Sequence, residues 1–248
     1  MREPAYGLTD AQPKLSDDRR RDVAKILAEQ DSSRPLVERF ALVAKGVVGA
    51  ELVGVTIGFP SEGTRIGSSF GSEAEAVRAE EIQFDLGEGP SVDALDSFVP
   101  IVIGDVLSAG SLRRWPAAAT ALASVGLKGV FSFPLRVGGA QIGAMTAYRR
   151  SPGDISPSHY ANGLVVSTLL TTAVLENEAT KGVEEPIDGE SLALTDGRVH
   201  FAAGMVAEQL DIPVVEALIR LRGHGFVSGL SIREVAELVI SHALELER

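Results

Sequence analysis

Between Arg198 and Ile240 the sequence reads RVHFAAGMVAEQLDIPVVEALIRLRGHGFVSGLSIREVAELVI, three short amphipathic runs divided by stop signals. That pattern confines the C-terminal part of the chain to a small helical bundle. In the first run Val199, Ala202, Met205 and Val206 recur at helical spacing, and the run ends near Leu210. Asp211, Ile212 and Pro213 restart the chain, since proline is tolerated in a first helical turn. The second run presents Val214, Ala217, Leu218 and Leu221, and Gly223, Gly225 and Gly229 punctuate its end. The third starts at Ser231, an N-cap with Glu234 three residues on as capping-box partner, and buries Ile232, Val235, Leu238 and Val239. Each helix is too short to be stable alone, so the three must pack together. Ala202, Ala203, Gly204, Ala217, Gly225 and Ala236 are small enough to let the axes approach closely.

Charge argues against one obvious use of such a bundle. The chain of 248 residues has a net charge of -11, whereas nucleic-acid binding draws on basic footprints that release phosphate counterions. From Asp188 onward acids outnumber bases about two to one, so any such binding requires local clustering. Arg198 and His200 open the first run, Arg220 and Arg222 close the second with His224 just beyond, and Arg233 lies in the third. Spacing alone favours ordinary solvated cations near helix ends. The pattern resembles the ANTAR domain, a three-helix RNA-binding module of bacterial antiterminators. The family's Ala-Lys-Gly-like core is matched by Ala202, Ala203 and Gly204, its Ala-aromatic-x-x-Leu-Arg run by Ala217, Leu218, Leu221 and Arg222, and its Glu-Val-Ala by Glu234, Val235 and Ala236. The lysine position is Ala203 and the aromatic position Leu218, so one cation and one ring are absent. The resemblance implies an all-α bundle that binds structured RNA stem-loops through Arg198, His200, Arg220, Arg222, His224 and Arg233, with a homodimer to engage paired loops.

Upstream, Met1 to Leu15 reads as a loosely attached tail, followed by a short helix from Ser16 to Gln30 and a better core helix from Leu36 to Val48. The period then changes. Leu52 to Phe59 alternates and is β-branched, with Thr64 to Phe70 as its hairpin partner. Ser72 to Glu81 is an acidic helix or exposed loop. IQFDL forms a short strand into the Gly87-Glu88-Gly89-Pro90 turn, where a helix opens. Val99 to Ile103 is a strand, Ser111 to Val125 one helix with Trp115 near its start, and Gly129 to Arg136 with Ala140 to Tyr148 a strand pair. A long helix, Ser156 to Thr180, runs towards the C-terminal bundle, through a linker at 181–188 to a module at 189–248.

This order predicts an α+β fold with a central antiparallel sheet. DLGEGPSVDAL, followed by RRWPAAATALASVGLKGVFSFPLRVGGAQIGAMTAYR, resembles the GAF half of actinobacterial GAF-ANTAR regulators. That resemblance implies a sensor over residues 16–180 that receives a small-molecule or protein signal. Many relatives carry cysteine where this chain has Ser91; with no cysteine, thiol sensing and disulfides are excluded. Ser91, Trp115, Phe131, Phe133 and Tyr148 are the candidate pocket residues, with core packing the alternative for the phenylalanines. Gly87 to Pro90 lacks the lysine and spacing of a nucleotide P-loop. Ser91 and Asp93 have no histidine in a nucleophile-elbow context, and His159, His200, His224 and His242 share no metal-like spacing. The expectation is a non-enzymatic, cytoplasmic regulator with no membrane span and no cofactor assigned. A protein-interaction or dimerisation module that has lost RNA binding is the rival reading.

Overall fold

The computed structural model describes residues 11–61, 64–181 and 192–246. The expected turn residues 62–63, most of the expected tail and all of the expected linker but Lys181 lie outside them. Two helices, α1 (Ala11–Ala28) and α2 (Leu36–Val48), lead into the hairpin β1 (Leu52–Ser61) and β2 (Thr64–Gly71). Next come α3 (Ala74–Leu86), α4 (Pro90–Asp96), β3 (Ile101–Ile103), α5 (Ala109–Arg114) and α6 (Pro116–Ser124). The hairpin β4 (Gly129–Val137) and β5 (Ala140–Arg149) precedes the long α7 (Pro157–Lys181), and α8 (Leu192–Leu210), α9 (Val214–Ser228) and α10 (Ile232–Ile240) close the chain.

The five strands form one antiparallel sheet in the order β2-β1-β5-β4-β3. Its two faces are covered differently. On one, Val53, Val55, Ile57, Phe131, Phe133, Leu135, Met145 and Ala147 meet the apolar stripes of α2 and α7. On the other, Leu52, Val130 and Tyr148 meet α3 and α6. Strand alternation sends successive residues to opposite faces, so both layers draw on the same strands.

Three sequence expectations change. The run IQFDL is the last part of α3 rather than a strand, because Ala76, Ala79, Glu80 and Gln83 are buried at helical spacing against the sheet. The helix expected from Ser111 to Val125 is broken into α5 and α6 at Trp115, whose extended backbone (φ -135°, ψ 69°) serves as C-cap of one and N-cap of the other, with Pro116 opening the second. Helix α1 begins at Ala11, before the expected start at Ser16.

The C-terminal helices form a bundle with its own core of Val199, Ala202, Val206, Leu221, Val235 and their neighbours. Asp211 takes a left-handed backbone (φ 54°), which turns the chain between α8 and α9. Helix α9 passes through Gly223 and Gly225 and stops only at Gly229, a left-handed C-cap. Ser231 and Glu234 complete a reciprocal capping box on α10. Gly225 permits a close crossing, since a Cβ there would lie 2.8 Å from the Leu230 carbonyl. Gly204 and Val214, expected inside, are exposed.

Candidate functional site

Helix α3 organises the site, because its two sides meet different partners. Towards the sheet it carries Glu80, a carboxylate in a position that usually belongs to an apolar residue. Gly54 on β1 makes the room: a Cβ at that position would stand 2.5 Å from the Glu80 Cγ. The Tyr148 hydroxyl donates to Glu80 Oε1 at 2.5 Å and the Thr56 hydroxyl to Oε2 at 2.9 Å. Gln83 Nε2 donates back to the Tyr148 oxygen at 2.7 Å, and Gln83 Oε1 accepts the Ser91 N–H at 2.9 Å. Ser132 and Thr146 pair at 3.1 Å on the neighbouring strands. All of these side chains are buried. Burial pushes the Glu80 carboxyl up, against the lowering effect of the hydrogen bonds it accepts. Burial first, and the Glu80 carboxylate second, push the Tyr148 phenol up. The result is a closed polar network that ties α3, α4 and three strands together.

A second group borders it. Trp115 Nε1 donates to Asp93 Oδ2 at 3.0 Å, and Arg114 pairs with the same oxygen at 2.6 Å while standing 4.9 Å over the indole. Glu88 Oε1 accepts the N–H groups of Ala117 and Ala118 at 2.7 and 2.9 Å, a remote cap on the first turn of α6. This explains the Gly87 to Pro90 turn: it delivers Glu88 to α6 and Ser91 to Gln83.

The five expected pocket residues are therefore not one lining. Ser91, Trp115 and Tyr148 lie on the α3 side of the sheet. Phe131 and Phe133 lie on the other side, inside the α2–α7 core, where the alternative of plain packing holds. Sequence reading missed Glu80 and Gln83, because polar residues on a charged helix carry no sign of pointing inward.

Away from the sheet, α3 faces the C-terminal bundle. Arg233 pairs with Glu81 at 3.2 Å, Arg222 stands 5.8 Å over the Phe84 ring, and Phe84 packs on the bundle core. The other expected RNA-binding residues are spread out. Arg198 pairs with Glu237 across to α10, and Arg220 with Glu216 one turn back at 3.1 Å. His200 lines an open groove with Phe201, Met205 and His242. His224 is half-buried. Arg222 and Arg233 thus meet α3, while Arg198 and Arg220 pair with acids of the bundle itself. Leu218 and Ala203, where the ANTAR pattern has a ring and a lysine, are both buried in the bundle core.

Among the described residues no cluster of three or more His, Asp or Glu is placed to hold a metal, and no helix is long and apolar enough to cross a membrane. Similar solved structures include the GAF domain from a phosphoenolpyruvate-protein phosphotransferase of Coxiella burnetii, at 11% identity and TM-score 0.49, covering 69% of this chain and 99% of that one. Escherichia coli SdiA is similar at 12% identity and TM-score 0.49, with 93% and 99% covered. GAF3 from Slr1393 of Synechocystis sp. PCC6803 is similar at 16% identity and TM-score 0.48, with 60% and 98% covered. No curated protein matches the chain. The family model for the GAF domain matches residues 36–174, more than half the length, and the chain belongs to the GAF domain family.

Proposed function

We propose that the chain is a signal-responsive RNA-binding regulator of transcription antitermination. The GAF domain receives a small-molecule or protein signal. The module at 189–248 is an ANTAR domain that binds structured RNA stem-loops, and the whole works as a cytoplasmic, non-enzymatic homodimer. The observation that carries the reading is the three-helix bundle itself: the residues that match the ANTAR pattern in each run, Ala202, Ala217, Leu221, Val235 and Ala236, build one core. The absent ring and lysine weigh little against it, since positions 218 and 203 face inward. Exposed Ile26 on α1 and Leu164 on α7 support self-association through the sensor.

Binding of the full chain to a pool of structured RNAs at two salt concentrations tests the reading. Saturable, sequence-selective and salt-sensitive retention, lost in a folded Arg220→Ala variant, is the expected result. No selective retention refutes it. The rival, a protein-interaction module without RNA, draws on the net charge of -11 and on exposed Phe201, Ile219, Phe226 and Val227. It predicts partner capture that survives RNase treatment.

A further inference from the structure

The side of α3 that faces the bundle carries Glu81, Phe84 and Asp85, spaced to share one stripe of the helix. Glu81 Oε1 takes the Arg233 guanidinium at 3.2 Å. The Asp85 carboxylate stands at the N-terminus of α10, lining one cleft with Ser231, Ile232 and Arg233. Phe84 seats on the bundle core, and Arg222 crosses above it towards Gly87, where a Cβ would come within 3.3 Å of the Arg222 Nε. An arginine fork and a helix N-terminus are both elements that bind phosphate. Here two carboxylates occupy them.

We infer that α3 is an internal competitor for RNA: Glu81 and Asp85 stand where phosphate oxygens would sit, and Phe84 anchors the module so that Arg222 and Arg233 are held against the sensor until α3 moves. This rests on the RNA-binding reading of the module. The same helix carries Glu80 and Gln83 on its other side, inside the network with Tyr148, Thr56 and Ser91. A signal that rearranges that network shifts the helix that holds the bundle. The route to the output therefore runs through α3, in addition to any movement of α7. By linkage, whatever weakens the docked state strengthens RNA binding by the factor by which it raises the undocked fraction.

The test uses the full chain and a Glu81→Ala/Phe84→Ala double variant, with Glu75→Ala as control. Glu75 is on the same helix but pairs with Arg150, so its loss changes charge equally and leaves the contact alone. Hydrogen exchange over Arg222 to Glu234 reports docking, and retention of the structured RNA pool reports output. The expected result is loss of protection in the double variant with RNA affinity raised about tenfold, neither seen in the control. Arg233→Glu, which repels Glu81 from the other side and leaves the sensor sequence intact, is expected to open the same amides. Unchanged protection in both variants overturns the docking contact. Opening in the Glu81→Ala/Phe84→Ala variant without tighter binding, in a chain that does bind RNA, overturns the competition. Opening in a chain that retains RNA in neither form overturns the RNA reading and the competition with it.

Discussion

Replacing Tyr148 by phenylalanine removes one oxygen from the centre of the sensor and leaves the ring in place. That oxygen donates to Glu80 Oε1 at 2.5 Å and accepts from Gln83 Nε2 at 2.7 Å. The variant leaves a buried carboxylate short of a donor, and Gln83 Nε2 with only its longer bond to the Ala79 carbonyl at 3.4 Å. A hydrogen bond to a charged group contributes roughly 1.5–3 kcal/mol and a neutral one about 1, so the loss comes to about 3 kcal/mol. For a protein of this size that lowers Tm by roughly 6–12 °C. Trp115, the single tryptophan, is buried beside the network and gives a fluorescence probe of unfolding confined to the sensor. Glu80→Gln keeps the shape and removes the buried charge, so it is expected to cost less than Tyr148→Phe at neutral pH. It also carries a pH signature. The Glu80 carboxyl lies above its ordinary range in the folded protein, so between the unfolded and folded values the native state holds more protons and stability falls as pH rises. Glu80→Gln flattens that slope. A Tyr148→Phe protein melting within 2 °C of the parent, or a slope unchanged in Glu80→Gln, refutes the reasoning.

Asp85 gives a second pH dependence, at the contact with the bundle. Burial first and neighbouring Glu81 second push its carboxyl up to about 6, so acidification from neutrality towards pH 5 strengthens the folded, docked state. Discounted for partial exposure, the gain between the two pH values is about 1 kcal/mol, and urea unfolding at both is expected to show it in the parent and lose it in Asp85→Asn. Ser231→Ala removes the side-chain half of the capping box, the Oγ that accepts the Glu234 N–H, and is expected to lower the stability of the C-terminal bundle by about 1 kcal/mol, read from hydrogen exchange in α10. Glu88→Ala uncaps α6 at two N–H groups and is expected to cost about 1–2 kcal/mol in the Trp115-monitored transition, with Glu88→Gln recovering part of it.

The strands were legible because β-branched alternation in LVGVTIGF and GVFSFPLR has no competing helical period. The capping box was legible because its residues are adjacent in sequence. Helix α3 was not, since five residues of IQFDL satisfy either period and only the burial of Ala76 and Ala79 upstream decides between them. The break at Trp115 is legible only in the rule that a residue before proline leaves the helical region, which competes with the tolerance of proline in a first turn. The expected pocket failed on register. Phe131 pairs with Ala147 and Tyr148 with Val130, so the phenylalanine and the tyrosine point to opposite faces, a fact fixed only once the two strands are aligned. The partners of Arg222 and Arg233, the Phe84 ring and the Glu81 carboxylate, lie on a helix more than a hundred residues upstream, beyond the reach of any local pattern.

The sheet ends on one side with β3, three residues long, and on the other with the eight-residue β2, alongside which α8 lies. A short border strand offers little to a neighbouring molecule, whereas a long bare one is a template for adding further chains. A truncation that keeps the sensor and discards α8 uncovers that template, and the fragment it leaves is prone to pair edge to edge with its own copies. The C-terminal helices are therefore expected to guard solubility as well, and light scattering of a sensor-only fragment, set beside the full chain, reads it.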